Sequence, residues 1–484
     1  MKWLLIFLLF WIVRLQALDS LPLHNDEGLH LTRAVEVWNL HPFWEIRDGK
    51  IINHWVIALF YPQNAPVFVG RIATLLISLL GLAAGIALIR RLFGSSAAIL
   101  AGLLWVASPY LFFYERMSFS DAEAGALAIA ALWLAVRLAD RLTLRRAILT
   151  GAALGLAALF KFTAIPFAAA IAIIVLASRA PFWQRLRALI VIGVTVAVLF
   201  SLPIAYLLLR GDDLFSIALG WVSGGGMSTG LSENLTRLWA QLTGFGTLLW
   251  TVALFVGVTL LLLLNPKRGG FLLVIVGVPM LSILLLGRDV QPRHFVVALP
   301  GFLLLGGAGI GLALDRWIKP LNLRQLATVG VAMLLIAGLL PFALTAYTAP
   351  EDLPLPPLMR TQYITEHSAG FGLREAVQAF PTTLTDNLPI IASMFPDSCR
   401  RANFYAQDGR LMECTDAPGR DRIEAALAEG GAVYVLVETA PIIGLDVQTV
   451  DADATRISGY PRPGETEANA AVVLWRLVAR DASE

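Results

Sequence analysis

Two carboxylates stand side by side in His24-Asn25-Asp26-Glu27, directly after the first apolar stretch of the chain. An adjacent Asp-Glu pair at such a boundary suits a general base or a cation ligand. The same residues also suit a helix start, with Asn25 or Asp26 capping a helix over Gly28–Trp38. A second ionisable group lies in Glu115-Arg116-Met117-Ser118-Phe119-Ser120-Asp121, between two apolar blocks. Charges there are costly unless paired or solvated. Glu115 and Arg116 can pair with each other, and Asp121 can cap the helix that follows. Alternatively, Glu115, Arg116 and Asp121 help position Asp26 or a molecule that reacts with it.

The cations suggest what that molecule's partner is. Arg71, Lys161, Arg210, Arg288 and Arg293 fall at or near one face of the hydrophobic blocks, with Lys50 in Asp48-Gly49-Lys50 and His294 beside Arg293. Arginine meets phosphate with a planar two-pronged fork, and lysine acts as a point charge. A lipid phosphate in the adjoining leaflet is the natural ligand for Lys161, Arg288, Arg293, His294 and Lys50. Snorkelling to headgroups is the competing account, most readily for Arg71 and Arg210. No Cys/His spacing suggests zinc and no phosphate-binding P-loop is present, and Gly224, Gly225 and Gly226 make only a flexible loop. No cofactor is demanded; a divalent cation, Mg²⁺ or Mn²⁺, on the carboxylates stays open.

The elements that must position these groups are membrane spans. Of 484 residues, 57% are hydrophobic and 15% charged, and mean hydropathy is +0.71. A soluble domain carries about 25% charged residues. A net charge of +2 leaves no nucleic-acid footprint. Basic clusters at Arg90–Arg91, Arg137 to Arg146, Arg179 to Arg187, Lys267–Arg268 and Arg316 to Arg324 mark cytoplasmic loops, together with Lys2. Trp3–Val13 lacks a cleavage site behind it and reads as a retained first span. Pairing the clusters predicts eleven helices, over 3–18, 67–89, 96–113, 121–138, 147–160, 163–178, 188–209, 246–264, 271–287, 295–314 and 325–344. This parity puts 19–66, Tyr114–Ser120, Arg210–Gly244 and Arg288–His294 on the outer face. Trp38, Trp44, Trp55, Phe43 and Phe60 suit interfacial helices in the first outer loop.

After a Pro-rich linker at 346–357, residues 358–484 read as a small extracytoplasmic α/β domain. Leu388–Ser393, Ala432–Val437 and Ala470–Leu477 suit strands, and Gly370–Phe380 and Asp421–Glu429 suit helices. Cys399 and Cys414 both lie here, either as a disulfide in an oxidising compartment or as two thiols.

Taken together, these motifs resemble the GT-C glycosyltransferases of the dolichyl-phosphate-mannose protein mannosyltransferase type. They are also similar to the bacterial transferases that add aminoarabinose to lipid A. The resemblance covers roughly residues 1–345. It rests on Asp26-Glu27, on Arg71 with Arg90-Arg91-Leu92-Phe93-Gly94, on Glu115-Arg116 with Asp121, on Lys161, and on Arg288 to Pro300. Lys50 departs from the family's frequent Lys-Pro-Pro, being followed by Ile51 and Ile52. The resemblance implies a multi-pass plasma-membrane enzyme, its 1–345 region catalytic, its N-terminus cytoplasmic and its C-terminal domain outside. It would move a sugar from a polyprenyl-phosphate carrier to a protein, lipid or glycan acceptor with inversion, Asp26 and Glu27 being catalytic. A transporter or carrier flippase would instead place charges at mid-helix. A non-catalytic sensor gives no reason for Asp26 and these cations to share a face.

Overall fold

The computed structural model describes residues 2–43, 49–61, 65–214, 216–217, 229–287, 290–384, 386–406, 409–415, 419–439 and 445–480. Each of the eleven expected segments holds helix, from Lys2–Leu15 to Leu321–Thr348. Among the described residues, six helices are long and apolar enough to cross a membrane, or seven if one bent pair is a single span. The six are Pro66–Phe93, Ser120–Asp140, Phe182–Leu209, Pro266–Leu286, Leu299–Trp317 and Leu321–Thr348. The bent pair, Ser95–Val106 and Pro109–Glu115, breaks by 64° where Ser108 and Pro109 interrupt the backbone ladder. Lys2–Leu15, with 14 residues, and Leu144–Phe160, with 17, are shorter than a full apolar crossing needs. Their places come from packing against longer neighbours.

Elsewhere in the bundle a seam of glycines joins Leu249–Leu264 to Leu299–Trp317. A Cβ at Gly257 would lie 2.0 Å from the Gly306 carbonyl, and one at Gly309 would lie 1.8 Å from the Gly257 carbonyl. Only glycine lets two backbones approach so closely in lipid. One large apolar core joins most of the helices.

The C-terminal part is a five-stranded sheet in the order β2-β1-β3-β5-β4, with β1 Ile390–Ser393, β2 Glu413–Cys414, β3 Ala432–Glu438, β4 Ala452–Tyr460 and β5 Val472–Ala479. β1 pairs parallel with β2 and β3, while β5 pairs antiparallel with β3 and β4. Alternation along the strands builds two cores. Ala392, Tyr434, Leu436 and Leu474 face helices Leu373–Thr383 and Pro396–Asn403. Ile391, Val433, Val435 and Leu477 face helix Arg420–Gly430. Cys399 and Cys414 form a disulfide that ties helix Pro396–Asn403 to β2. Beyond the expected strands the sheet gains β2 and β4. β4 is an edge strand with mostly exposed residues, so it has little apolar alternation to announce it.

Candidate active site

The first helix ends at Leu15 and the next begins at Asn25, so the carbonyls between them have no helical partner. Arginines from four separate elements supply the missing donors. Arg116 donates to the carbonyls of Arg14 (3.1 Å), Gln16 (2.8 Å) and Ala17. Arg71 donates to those of Leu18 (2.8 Å), Leu21 (2.9 Å) and Pro22 (3.0 Å). Arg374 reaches Ser20 O at 2.7 Å, and Arg401 reaches Leu23 O at 3.0 Å. Buried carbonyls without donors would be costly, and a charged donor satisfies several at once. The result is an irregular segment fixed along its length, delivering the chain to Asp26.

At its end a capping box starts helix Asn25–Trp38. The N-cap is His24, not Asn25 or Asp26: its Nδ1 accepts from Asp26 N–H at 3.1 Å, and Glu27 returns a bond to His24 N–H at 3.0 Å. Burial, set against the pull of Asp26 and aided by Arg293, holds the His24 imidazole neutral, down to about 3. Glu27 is fully buried. Its Oε1 accepts from Arg71 Nε (2.9 Å) and Ser118 N (2.7 Å). Its Oε2 accepts from Arg71 Nη2 (2.8 Å) and His24 N. Burial pushes the Glu27 carboxyl up, but Arg71 and these bonds prevail and lower it. Such a carboxylate has no oxygen left for a substrate. Expected as a catalytic partner, Glu27 is placed here as the acceptor of four bonds that join Arg71, Ser118 and His24.

Asp26, one residue earlier, is differently placed. Its side chain is 22% exposed, and both its ion pairs fall on Oδ2: Arg293 Nη2 at 2.9 Å and Lys50 Nζ at 3.3 Å. Oδ1 makes no hydrogen bond among the described residues. Burial pushes the carboxyl up, but Arg293 and Lys50, ahead of His24 and His30, outweigh it and hold Asp26 well below the usual carboxylate range. It is a carboxylate with Oδ2 held by two cations and Oδ1 unbonded among the described residues.

The cations around it come from distant parts of the chain. Lys50 is placed by Ile51 N–H, which donates to Leu159 O at 2.9 Å, and by Gly49, which lies flat on Phe162 at φ +76°. This contact brings Lys50 to the end of Leu144–Phe160, where Lys161 pairs with buried Asp121 at 2.5 Å. Arg293 and His294 ride on the short helix Pro292–Val297, which is held by Tyr110 donating to Pro292 O at 2.6 Å. Gly125 of Ser120–Asp140 abuts it, since a Cβ there would meet Val296 O at 2.7 Å. Arg293 stacks 5.6 Å from the Phe119 ring, and its Nε is buried with no partner among the described residues. His294 Nδ1 accepts from Gln291 N–H at 3.2 Å. Burial, then Lys161, Arg293 and Lys50, drive the proton off the ring, so Nε2 carries its one N–H. Three cations thus face two carboxylates, an excess of positive charge suited to a phosphate.

The structure brings together Asp26, Lys50, Asp121, Lys161, Arg293 and His294 but not Glu115 or Arg116. Glu115 pairs with Arg14 at 2.5 Å and accepts from Trp105 Nε1 at 2.7 Å, instead of pairing with Arg116. Arg71 is not a snorkelling cation, being 1% exposed. Arg288 lies outside the described residues, as do Asp48, Trp44 and Gly224 to Gly226. Asp121 caps nothing, the N-cap of its helix being Phe119. Sequence reasoning missed a buried polar chain beside Asp26. His30 Nδ1–H donates to Ser118 O at 2.8 Å, Asn53 Nδ2 lies 3.2 Å from the same nitrogen, and Thr74 donates to Glu123 at 3.2 Å. His30 at four residues past Asp26, on the same helical face, was the signal. Among the described residues no group of three or more His, Cys, Asp or Glu is placed to hold a metal ion.

The dolichyl-phosphate-mannose-protein mannosyltransferase family matches residues 48–206, which include Lys50, Asp121 and Lys161. No curated protein matches the chain by sequence. ArnT from Cupriavidus metallidurans, solved in the apo state and bound to undecaprenyl phosphate, superposes with a TM-score of 0.60 at 16% identity, over 98% of this chain and 97% of that one. An oligosaccharyltransferase from Archaeoglobus fulgidus, in complex with Zn and sulfate, superposes with a TM-score of 0.52 at 12% identity, over 90% of this chain and 68% of that one. The chain has the ArnT-like GT-C fold: a helical membrane part with a small C-terminal sheet domain.

Proposed function

We propose that the chain is an inverting glycosyltransferase that moves a sugar from a polyprenyl-phosphate carrier to an acceptor at the outer face of the membrane. The observation that carries this reading is the half-open Asp26, with Oδ2 on Arg293 and Lys50 and Oδ1 unbonded among the described residues. The ArnT structure with undecaprenyl phosphate supports the choice of carrier. On this reading the N-terminus is cytoplasmic, the sheet domain is extracytoplasmic, and residues 1–345 carry the chemistry.

The step is a single displacement. The acceptor's O–H or N–H gives its proton to Asp26 Oδ1 as the nucleophile's lone pair attacks the anomeric carbon. The bond from that carbon to the phosphate oxygen breaks, and its electron pair stays on the phosphate. Attack opposite the leaving group inverts the anomeric centre. Arg293, Lys50, Lys161 and the Nε2–H of His294 neutralise the charge that grows on the phosphate. No strong general acid is required, because phosphate is a good leaving group. The incoming phosphate also competes with Asp26 for Arg293 and Lys50, so donor binding weakens the hold on the carboxylate and makes it more basic.

The test is mass spectrometry of glycans and envelope lipids from a strain lacking the gene. One sugar-bearing product should vanish and its unglycosylated acceptor accumulate, with a polyprenyl-phosphate sugar building up behind it. An unchanged glycan profile with altered lipid-carrier distribution across the membrane would replace this reading with a flippase.

A further inference from the structure

We infer that Arg401 and Tyr405 of the C-terminal domain are positioning residues for the reaction, setting the place of Asp26 through the main chain of Leu23. This inference rests on the reading of Asp26 as the base and extends the site to residues that never meet a substrate. Both polar backbone groups of Leu23 are taken by these two side chains. Leu23 N–H donates to Tyr405 Oη at 2.6 Å, and Leu23 O accepts from Arg401 Nη1 at 3.0 Å. Leu23 is wholly buried, so no water competes for either bond. Only His24 and Asn25 separate this clamp from Asp26, and the capping box around His24 makes that short link stiff.

The clamp is built, not incidental. Arg401 is 1% exposed and also donates to Ser368 O (2.7 Å) and His367 O (2.9 Å), so its guanidinium is fixed from a second side. Gly28 leaves room for it, since a Cβ there would lie 2.6 Å from Arg401 Cβ. Gly370, at φ +84°, leaves the Leu23 carbonyl open to Arg401, where a Cβ would come within 2.7 Å of that oxygen. Cys399, two residues before Arg401 on helix Pro396–Asn403, anchors that helix to β2 through the disulfide with Cys414. The sheet domain is therefore joined rigidly to the loop that carries the base. Catalytic groups lose rate steeply when displaced by about 1 Å, so a soft clamp should act on turnover.

Purified Tyr405→Phe, Arg401→Lys and Asp26→Asn proteins in nanodiscs test this, with polyprenyl-phosphate lipids extracted from the host as donor and the product that disappears on gene deletion as readout. Tyr405→Phe removes one oxygen and should fold. Losing a bond to a buried backbone N–H should lower kcat per folded molecule by about five- to tenfold, with KM for the donor lipids within about twofold. Hydrogen exchange should rise in the peptide spanning 20–30 and not in the membrane helices. Adding Tyr405→Phe to Asp26→Asn should cost nothing further, because the two act through one group. Wild-type kcat in both Tyr405→Phe and Arg401→Lys, beside a dead Asp26→Asn, would overturn the inference. An active Asp26→Asn would overturn the underlying reading of the base instead.

Discussion

Glu27 receives N–H groups on both oxygens, from Arg71, Ser118 and His24, and is sealed from solvent. Asp26, its neighbour in the chain, holds its cations on one oxygen, leaves the other unbonded among the described residues, and is 22% exposed. The same division runs through the cations. Arg116 and Arg401 donate to main-chain carbonyls, and Arg71 divides its donors between such carbonyls and Glu27, whereas Lys50, Lys161 and Arg293 pair with the carboxylates of Asp26 and Asp121. A saturated ion pair is architecture. An unsaturated one, in which several cations share few oxygens, is a place for another anion.

The comparison breaks most sharply at Asp26. Asp26→Asn should lower turnover by about 10²–10⁴-fold with thermal stability near wild type; full activity would leave Asp26 no more than part of a helix start. Repeating the assay with added Mn²⁺ or Mg²⁺ separates loss of a base from loss of a cation ligand. Next in size is Glu27→Gln, which leaves the Arg71 guanidinium buried and unmatched. Breaking such a pair costs about 3–5 kcal/mol of stability, seen as a lowered midpoint of thermal unfolding. Activity per folded molecule should fall far less than in Asp26→Asn, and a reversal of that order would erase the distinction between the two carboxylates. The smallest effect is expected at Arg293. Arg293→Ala should weaken undecaprenyl-phosphate binding by about 1.5–3 kcal/mol, and Arg293→Lys should restore it in part. It also removes the strongest of the charges holding Asp26 down, so the Asp26 carboxyl rises. Activity needs the carboxylate and is lost as pH falls through that value. The acid limb of the pH–rate profile should therefore move to higher pH in Arg293→Ala, and an unmoved limb would separate the two residues.

How much of this was legible beforehand follows the same division. Asp26, Lys161 and Arg293 stood out because charge at the end of an apolar block needs a reason, and that reason is local. Arg71 does not snorkel and Arg116 does not pair with Glu115, because a sequence displays a cation but not the carbonyls that require it. Those carbonyls are orphaned only because the chain from Gln16 to Leu23 is neither helix nor strand. Glu115 was expected to meet Arg116 next to it, yet it pairs with Arg14, 101 residues away. Helix positions followed from hydropathy, while the bend at Ser108 and Pro109 and the short Leu144–Phe160 depend on packing that periodicity does not encode. In the sheet domain, β3 was plain from its unbroken burial. β4, polar and at the edge, carried no such pattern.

The bond from Arg401 to Leu23 also sets a schedule. Its two ends are 378 residues apart, so at ribosomal speeds roughly 20–80 s separate the emergence of the loop from that of its clamp. For most of that interval the helices can insert and pack, but the segment before Asp26 lacks three of its anchors, Arg374, Arg401 and Tyr405. On the proposed reading, transfer competence is conferred last, by the final quarter of the polypeptide. On the same reading, a truncated or stalled product is a folded but idle helical bundle.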